Sequence, residues 1–419
     1  MHPNALLDLA AELLREALNL RAPADTVVAA FFRRHPALGA RERHALAETV
    51  YAVLRRRLLW EWLGKGGDGP LPRRLAVLAW QGERQVLQRA LTPAESAWLA
   101  QVEAVDRDAL APELRHNLPG WLADPLRASL GEDEFARLAA SLLEPAPLDL
   151  RVNVLKARRD DVQAALAAAG IAAAPTPHSP WGLRVDGKPA LQRLASFERG
   201  EFEVQDEGSQ LLALAVGARR GEMVVDFCAG AGGKTLALGA AMRNTGRLYA
   251  FDTSGHRLDA LKPRLARSGL SNVYPAQLAH ERDERIGRLA GKIDRVLVDA
   301  PCSGTGRLRR DPDLKWRQSA QSIEELRAGQ AAILEAASRL VGPGGRLVYA
   351  TCSLLAAENE SIAGAFSAAH DEFEPLPAGE ALAAARVARA AELVEGGHLR
   401  LWPHRHGTDG FFAALWTRR

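Results

Sequence analysis

Two short stretches carry the residues best suited to covalent chemistry. Cys302 lies in "VLVDAPCSGTG" and Cys352 in "LVYATCS"; each follows an apolar run and precedes a serine. A lone cysteine most often fills a core as a small hydrophobe. Two at equivalent strand ends suit another use, because ligands of doubly wound sheets bind beyond the carboxyl ends of the strands. A thiolate there is a nucleophile. Beside a methyl donor it has a defined task. C5 of cytosine is too weak a nucleophile to take a methyl group directly. A thiolate added at C6 makes C5 an enamine-like carbon that attacks an electrophilic methyl. A base then removes the C5 proton, and the thiol leaves by elimination. Asp299, just ahead of Pro301 and Cys302, is placed to hydrogen-bond the ring at N3 or N4, which assists addition at C6.

The methyl donor itself is argued from "VVDFCAGAGGKTLALGA", residues 224–240, which reads as a buried strand, a glycine turn and a helix. A P-loop would need glycine where Cys228 stands, and a dinucleotide fingerprint would need glycine where Thr235 stands. S-adenosylmethionine fits better. Glycines let the backbone approach a ligand closely. "LYAFD" ends at Asp252, 20 residues after Gly232, the spacing at which a carboxylate reaches ribose hydroxyls. A simple strand-end cap is the other use for Asp252.

These groups need a scaffold to hold them. From about 206 onward the strand candidates "MVVDF", "RLYAFD", "RVLVDA" and "RLVYATC" alternate with amphipathic helices, and "GFFAALWTRR" closes the chain as a further strand. That alternation predicts an α/β, class I Rossmann-like, doubly wound and mostly parallel sheet over 206–419. The strands leading to Cys302 and Cys352 should be neighbours. Before it, 141–205 reads as a small α+β module, ferredoxin-like or like an RNA-recognition fold: "LDLRVNV" and "WGLRVDG" as strands, and a helix from "RRDDVQAALAAAG" ending at Gly170. Residues 1–140 read as all helical, with apolar residues at three- and four-residue steps. The run Arg55, Arg56, Arg57 is either a solvated helix face or a phosphate contact.

At 419 residues, 47% hydrophobic and net charge +3, the chain has the composition of a multidomain soluble protein whose overall charge names no partner. Three unclustered cysteines argue against a disulfide framework and fit a cytoplasmic protein, and with no C-x-x-C pair no metal is expected. "MHPNALLDLAAELLREALNL" is broken by charges and is neither a signal peptide nor a membrane span. The stretch "GRLRRDPDLKWRQ" places Arg307, Arg309, Arg310, Lys315 and Arg317 around Trp316. Cations interleaved with an aromatic suit a splayed single strand of RNA. A charged loop packed on its own domain is the alternative.

The sequence resembles the RsmB/NOP (Nol1/Nop2/Sun) RNA cytosine-5 methyltransferases. The resemblance rests on "FEVQDEGSQL", "DFCAGAGGKT", "DRVLVDAPCSGTGRLRRDPDLKW", "GGRLVYATCSLLAAENE" and "HGTDGFF". It implies that Cys352 is the nucleophile and that Cys302 assists product release. Spacing does not assign those roles, since DNA cytosine methyltransferases attack with a cysteine that follows proline. It further implies that Cys228, Ala229, Gly230, Ala231, Gly232, Gly233 and Lys234, with Asp252 and Asp299, hold S-adenosylmethionine, Lys234 also lying near the catalytic pocket. Two departures stand out. Gly230 and Ala231 replace the usual Ala and Pro of the turn. Ala279 stands where the family has an Asp near the adenine, with His280, Glu281 and Asp283 as alternatives. The helices around "ALAETVYAVLRRRLLW" resemble a NusB-like RNA-binding domain, which points to 16S ribosomal RNA. A transfer RNA substrate, or a non-catalytic RNA-binding or ribosome-assembly factor, are the competing readings. A monomer is expected, with RNA as its partner.

Overall fold

The structure is a computed structural model that describes residues 2–419. It divides into two compact units. One runs through Pro145 and also takes in Arg307–Ala320; the other comprises Ala146–Gly306 and Gln321–Arg419.

The first unit is helical. Its opening helix, Pro3–Ala17, buries Leu6, Leu7, Ala10, Leu13, Leu14 and Ala17, the stripe its sequence spacing dictates. Thr92 and Glu95 form a capping box on Pro93–Glu103. The core joins the first helix to Val50, Val53, Leu54, Trp60 and Leu75, with Trp316 packed against it. The last helix, Glu132–Leu142, ends just before the first strand. No helix among the described residues is long and apolar enough to cross a membrane.

The second unit contains two sheets. The smaller is antiparallel, in the order β2-β3-β1-β4, from β1 (Leu148–Val152), β2 (Ala173–Pro175), β3 (Gly182–Val185) and β4 (Phe202–Val204). Helix Arg159–Ala168 lays Val162 and Leu166 into its core, and Gly170 turns the chain at φ +75°. The larger sheet has β5 (Met223–Asp226), β6 (Arg247–Asp252), β7 (Val273–Gln277), β8 (Ile293–Asp299), β9 (Val341–Thr351), β10 (Phe373–Pro375), β11 (Val394–Glu395), β12 (His398–Leu401) and β13 (Phe411–Arg418). Its order is β11-β12-β13-β9-β8-β5-β6-β7, with β10 on β13. The strands from β7 to β9 are parallel; β13 is antiparallel to β9. The inner parallel strands β5, β8 and β9 are mostly apolar because both faces are covered, whereas the edge strand β7 is largely exposed.

This division differs from three separate domains at 140 and 205. The small sheet shares one unit with the larger sheet: Arg184 donates to both oxygens of Asp149 at 2.8 and 3.0 Å, and Asp149 in turn accepts from the backbone N–H of Glu207. Residues 307–320, expected within the catalytic domain, belong to the helical unit.

Candidate active site

The glycine turn begins where β5 ends. Ala229 N donates to Phe251 O at 2.8 Å, which ties the turn to the neighbouring strand. Gly230 and Gly232 have φ of +56° and +82°. A Cβ on Gly232 would stand 2.1 Å from Leu261 Cδ1, so that position requires glycine on both counts. Helix Gly233–Ala241 follows. Asp252, at the end of β6, accepts from Gly230 N at 2.8 Å and from Ser254 N at 2.7 Å. Each oxygen keeps a second lone pair for a ligand hydroxyl.

Register brings the thiols together. β8 pairs with β9 so that Asp299 stands opposite Ala350. The chain beyond each strand then carries Cys302 and Cys352 to a Sγ–Sγ separation of 3.4 Å. Both are free thiols, as is Cys228. Lys234 reaches across from its helix, donates to Asp299 Oδ2 at 2.7 Å, and lies over the Phe411 ring. Burial acts to lower the Lys234 pKa, but Asp299, through charge and hydrogen bond, together with the charge of Cys352, raises it above its ordinary value. The Cys302 thiol is held well above its ordinary value by its bond to Cys352, by burial, and by the charges of Cys352 and Glu358. Cys228 is raised by burial and by Asp226, Asp299 and Asp252; it packs against core residues.

Sequence reasoning missed two buried acids. Asp226 accepts from Thr235 Oγ1 at 2.7 Å, while its other oxygen is buried without a partner. Burial pushes its pKa up to about 7; the Thr235 bond opposes that, and the charges of Asp299 and Asp252 add to it. Its place at the end of β5 was the available signal. Glu358 joins the two cysteine loops. It accepts from Ser303 N at 2.8 Å, Gln330 Nε2 at 2.9 Å, and the hydroxyls of Ser303 and Ser353, each at 2.5 Å. Gly306 N donates to Cys352 O at 2.8 Å and Leu354 N to Thr305 Oγ1 at 2.8 Å, which completes the tie.

The expected RNA cluster is not one surface. Lys315 is only 1% exposed, and its ammonium donates to Arg55 O and Asn117 O at 2.8 and 2.7 Å. The Trp316 indole donates to Leu54 O at 2.7 Å. Both therefore anchor the segment in the helical unit, which corrects their assignment as a platform for a base and phosphate. Arg309 donates to Pro145 O, and Arg310 is half-buried. Arg307 and Arg317 are exposed and paired with Asp311 and Asp313. Of the arginine run, Arg55 donates to Arg309 O, Arg56 pairs with Glu144 and Arg57 with Glu61. At the Ala279 departure, Asp283 folds back to accept from Ala279 N at 2.9 Å and pairs with Arg285.

At the strand ends Asp252 and Asp299 set two carboxylates against the Lys234 ammonium. That balance suits a methyl donor bearing sulfonium and ammonium cations, and disfavours a polyphosphate. A parallel sheet with a glycine turn after its first strand and an acid after its second is common to dinucleotide folds and class I S-adenosylmethionine-dependent methyltransferases; with antiparallel β13 beside β9 and this charge balance, the fold and site fit the methyltransferase class. The comparisons narrow this to a family. The family described as "16S rRNA methyltransferase RsmB/F" matches residues 213–417, and the RsmF/B-like ferredoxin-like domain matches 118–192. A Synechocystis protein named "Probable ribosomal RNA small subunit methyltransferase B" is 31% identical over 97% of this chain and 98% of its own. The "Ribosomal RNA small subunit methyltransferase B" of Xanthomonas campestris is 30% identical over 97% and 99%. Among solved structures, PH0851 aligns with a TM-score of 0.79 at 27% identity over 99% of both chains. The fold is also that of NSun6 from Pyrococcus horikoshii, solved with SFG (TM-score 0.62, 22% identity, 72% of this chain and 98% of that one). The chain belongs to the RsmB/F methyltransferase family and uses S-adenosylmethionine.

Proposed function

We propose that this protein methylates C5 of a cytosine in 16S ribosomal RNA, through a covalent bond between Cys352 Sγ and C6. The observation that carries this reading is the thiol pair at 3.4 Å, set at the strand ends that also hold the Lys234–Asp299 pair. Asp252 holds the donor's ribose, residues 228–234 form the wall against it, and Asp299 faces its cationic part. Bound there, S-adenosylmethionine supplies an electrophilic methyl group.

The chain's residues do the rest. Cys352 Sγ, as thiolate, forms a bond to C6, and the C5=C6 electrons move toward C5 and the ring. Asp299 accepts the N4–H of the base, and the Lys234 ammonium offsets the negative charge developing on the ring. After C5 has taken the methyl group, its proton passes to a base, C5=C6 re-forms and the C6–S bond breaks. Cys302 assists that departure. The target must leave its stack to reach the thiols, so a loop or bulge suits it. The helical unit takes the role of further RNA contact, in a cytoplasmic monomer.

The test is methyl transfer from labelled S-adenosylmethionine to unmodified ribosomal and transfer RNA, followed by digestion to nucleosides. Labelled 5-methylcytidine from ribosomal RNA is expected. Cys352→Ala should give none, and Cys302→Ala should accumulate a denaturation-resistant protein–RNA adduct. An adduct with Cys352→Ala and none with Cys302→Ala would reverse the two roles. Transfer to transfer RNA alone would replace the substrate.

A further inference from the structure

Glu358 has no part in the reaction as described above, yet it is fully buried and touches the loops of both thiols. Here its partners come from three places: Ser303 beside Cys302, Ser353 beside Cys352, and Gln330. Gln330 also donates to Pro301 O at 3.0 Å. All four partners are groups that donate to the carboxyl oxygens, two to each oxygen. Asn359, the next residue, holds the same turn by donating to Ser353 O and accepting from Thr351 Oγ1.

The charges around the thiol pair are unequal. Lys234 and its partner Asp299 approach from the glycine-turn helix and the end of β8, and the Lys234 ammonium interacts with the charge of Cys352. On the other side, Glu358 is bonded twice to Ser303, the residue after Cys302, and once to Ser353, the residue after Cys352, with the Tyr349 hydroxyl of β9 beside it. That hydroxyl donates to Glu358 O at 2.6 Å. A cation near one sulfur and an anion near the other make the two positions of a shared proton unequal in energy.

We propose that Glu358 is a positioning residue of the transfer reaction: it fixes the two cysteine loops at their mutual distance and keeps the shared thiol proton on Cys302, leaving Cys352 as the sulfur that attacks. This rests on the reading of the site as a cytosine-5 methyltransferase. No bond beyond the Cys302 S–H···S hydrogen bond is involved. The proton stays on Cys302, and the same S–H faces the Cys352 sulfur when the C6–S bond breaks. Glu358 touches neither substrate nor donor; it acts through the two thiols.

The bonding pattern supplies a clean variant. The oxygen that accepts from Ser303 N and Gln330 Nε2 can be kept as the carbonyl of glutamine. The other oxygen accepts only from hydroxyls, which can turn round to accept from an amide NH2. Glu358→Gln thus removes charge while keeping the tie; Glu358→Asp keeps charge and shortens the tie. The three thiols are alkylated with iodoacetamide in the absence of RNA and donor, and their rates are read by peptide mass spectrometry.

Wild-type protein should react first at Cys352. In Glu358→Gln the Cys352:Cys302 rate ratio should fall about tenfold, the equivalent of one pKa unit at Cys302. Its kcat should fall with it, while the KM for S-adenosylmethionine holds. Glu358→Asp should keep the ratio. A Glu358→Gln protein with the wild-type ratio and kcat overturns the proposal. So does a wild-type protein that reacts first at Cys302, which needs no variant to fold. If wild type makes no 5-methylcytidine while the ratio responds to Glu358→Gln, the reaction assigned above fails and the polarising role of Glu358 stands.

Discussion

Replacing Asp299 by asparagine removes the charge opposite Lys234 and leaves a side chain of the same shape. The wild-type pair is 2.7 Å apart, with side chains 12% and 28% exposed. At an effective dielectric of about 20, opposite charges 2.7 Å apart attract by about 6 kcal/mol. Desolvation takes back part of this, and removing one partner of a buried pair costs about 3–5 kcal/mol. The protein contains its own comparison. Lys315 is more deeply buried and has carbonyls for partners, and burial, with Arg55 and Arg56 adding, pushes it down to about 7. Without Asp299, Lys234 faces the same unopposed burial, so its pKa falls below the ordinary 10.5.

The sign of the stability effect follows. In wild type the raised pKa contributes stability below the ordinary value, and this is lost as pH rises through the folded value. In Asp299→Asn the lowered pKa is a deficit that is largest at low pH and shrinks as pH rises toward 10.5, because the unfolded chain then gives up its proton too. Because the pair is 12% and 28% exposed, the variant should be less stable at neutral pH by less than the about 3–5 kcal/mol of a fully buried pair, and closer to wild type in alkali. The chain has seven lysines, few enough to assign each ε-carbon signal by NMR and titrate Lys234 directly. Denaturation at neutral and alkaline pH gives the second readout. A Lys234 that still titrates above its ordinary value in the variant, or a stability difference that ignores pH, refutes the reasoning.

Two further outcomes follow from the same geometry. Asp252→Asn keeps one acceptor but turns an NH2 toward one of two backbone N–H groups, Gly230 or Ser254. Losing a charge-assisted hydrogen bond of about 1.5–3 kcal/mol should weaken S-adenosylmethionine binding roughly 10- to 150-fold by calorimetry, and unchanged affinity would remove Asp252 from the donor site. For Lys315, whose folded pKa lies below its ordinary value, stability is lowest below about 7 and rises with pH toward 10.5, by at most about 1.4 kcal/mol per pH unit. Lys315→Met should flatten that slope in denaturant titrations of the whole chain; a slope unchanged in the variant would contradict the burial argument.

What was legible in the sequence was set by the backbone; what was not was set by partners distant in the chain. The glycine turn, Asp252 and the two strand-end cysteines were readable because a parallel sheet places all strand ends on one edge, and apolar runs mark the strands. The thiol contact needed only that β8 and β9 be neighbours. "RLRRDPDLKW" misled for the opposite reason. Its basic and aromatic residues describe a surface, but Leu54, Arg55 and Asn117, which bury Lys315 and Trp316, lie some two hundred residues or more earlier. Glu358 was lost in the same way, its donors Ser303 and Gln330 lying 55 and 28 residues earlier.

The two buried lysines show why composition alone cannot separate a structural cation from a functional one. Lys315 meets two carbonyls, which a neutral amine satisfies with its two N–H bonds, so the site works without charge. Lys234 meets a carboxylate and a thiol, which only the ammonium satisfies. Burial acts to lower the pKa of both; the carboxylate partner is what raises that of Lys234. At the thiols the same rule acts twice. An ammonium kept charged by Asp299 interacts with Cys352, and the Glu358 carboxyl, held by four hydrogen bonds, ties the loop of Cys302 to that of Cys352. If two chemically identical groups 3.4 Å apart have different tasks, as proposed above, the difference is to be sought in Lys234 and Glu358 rather than in the cysteines.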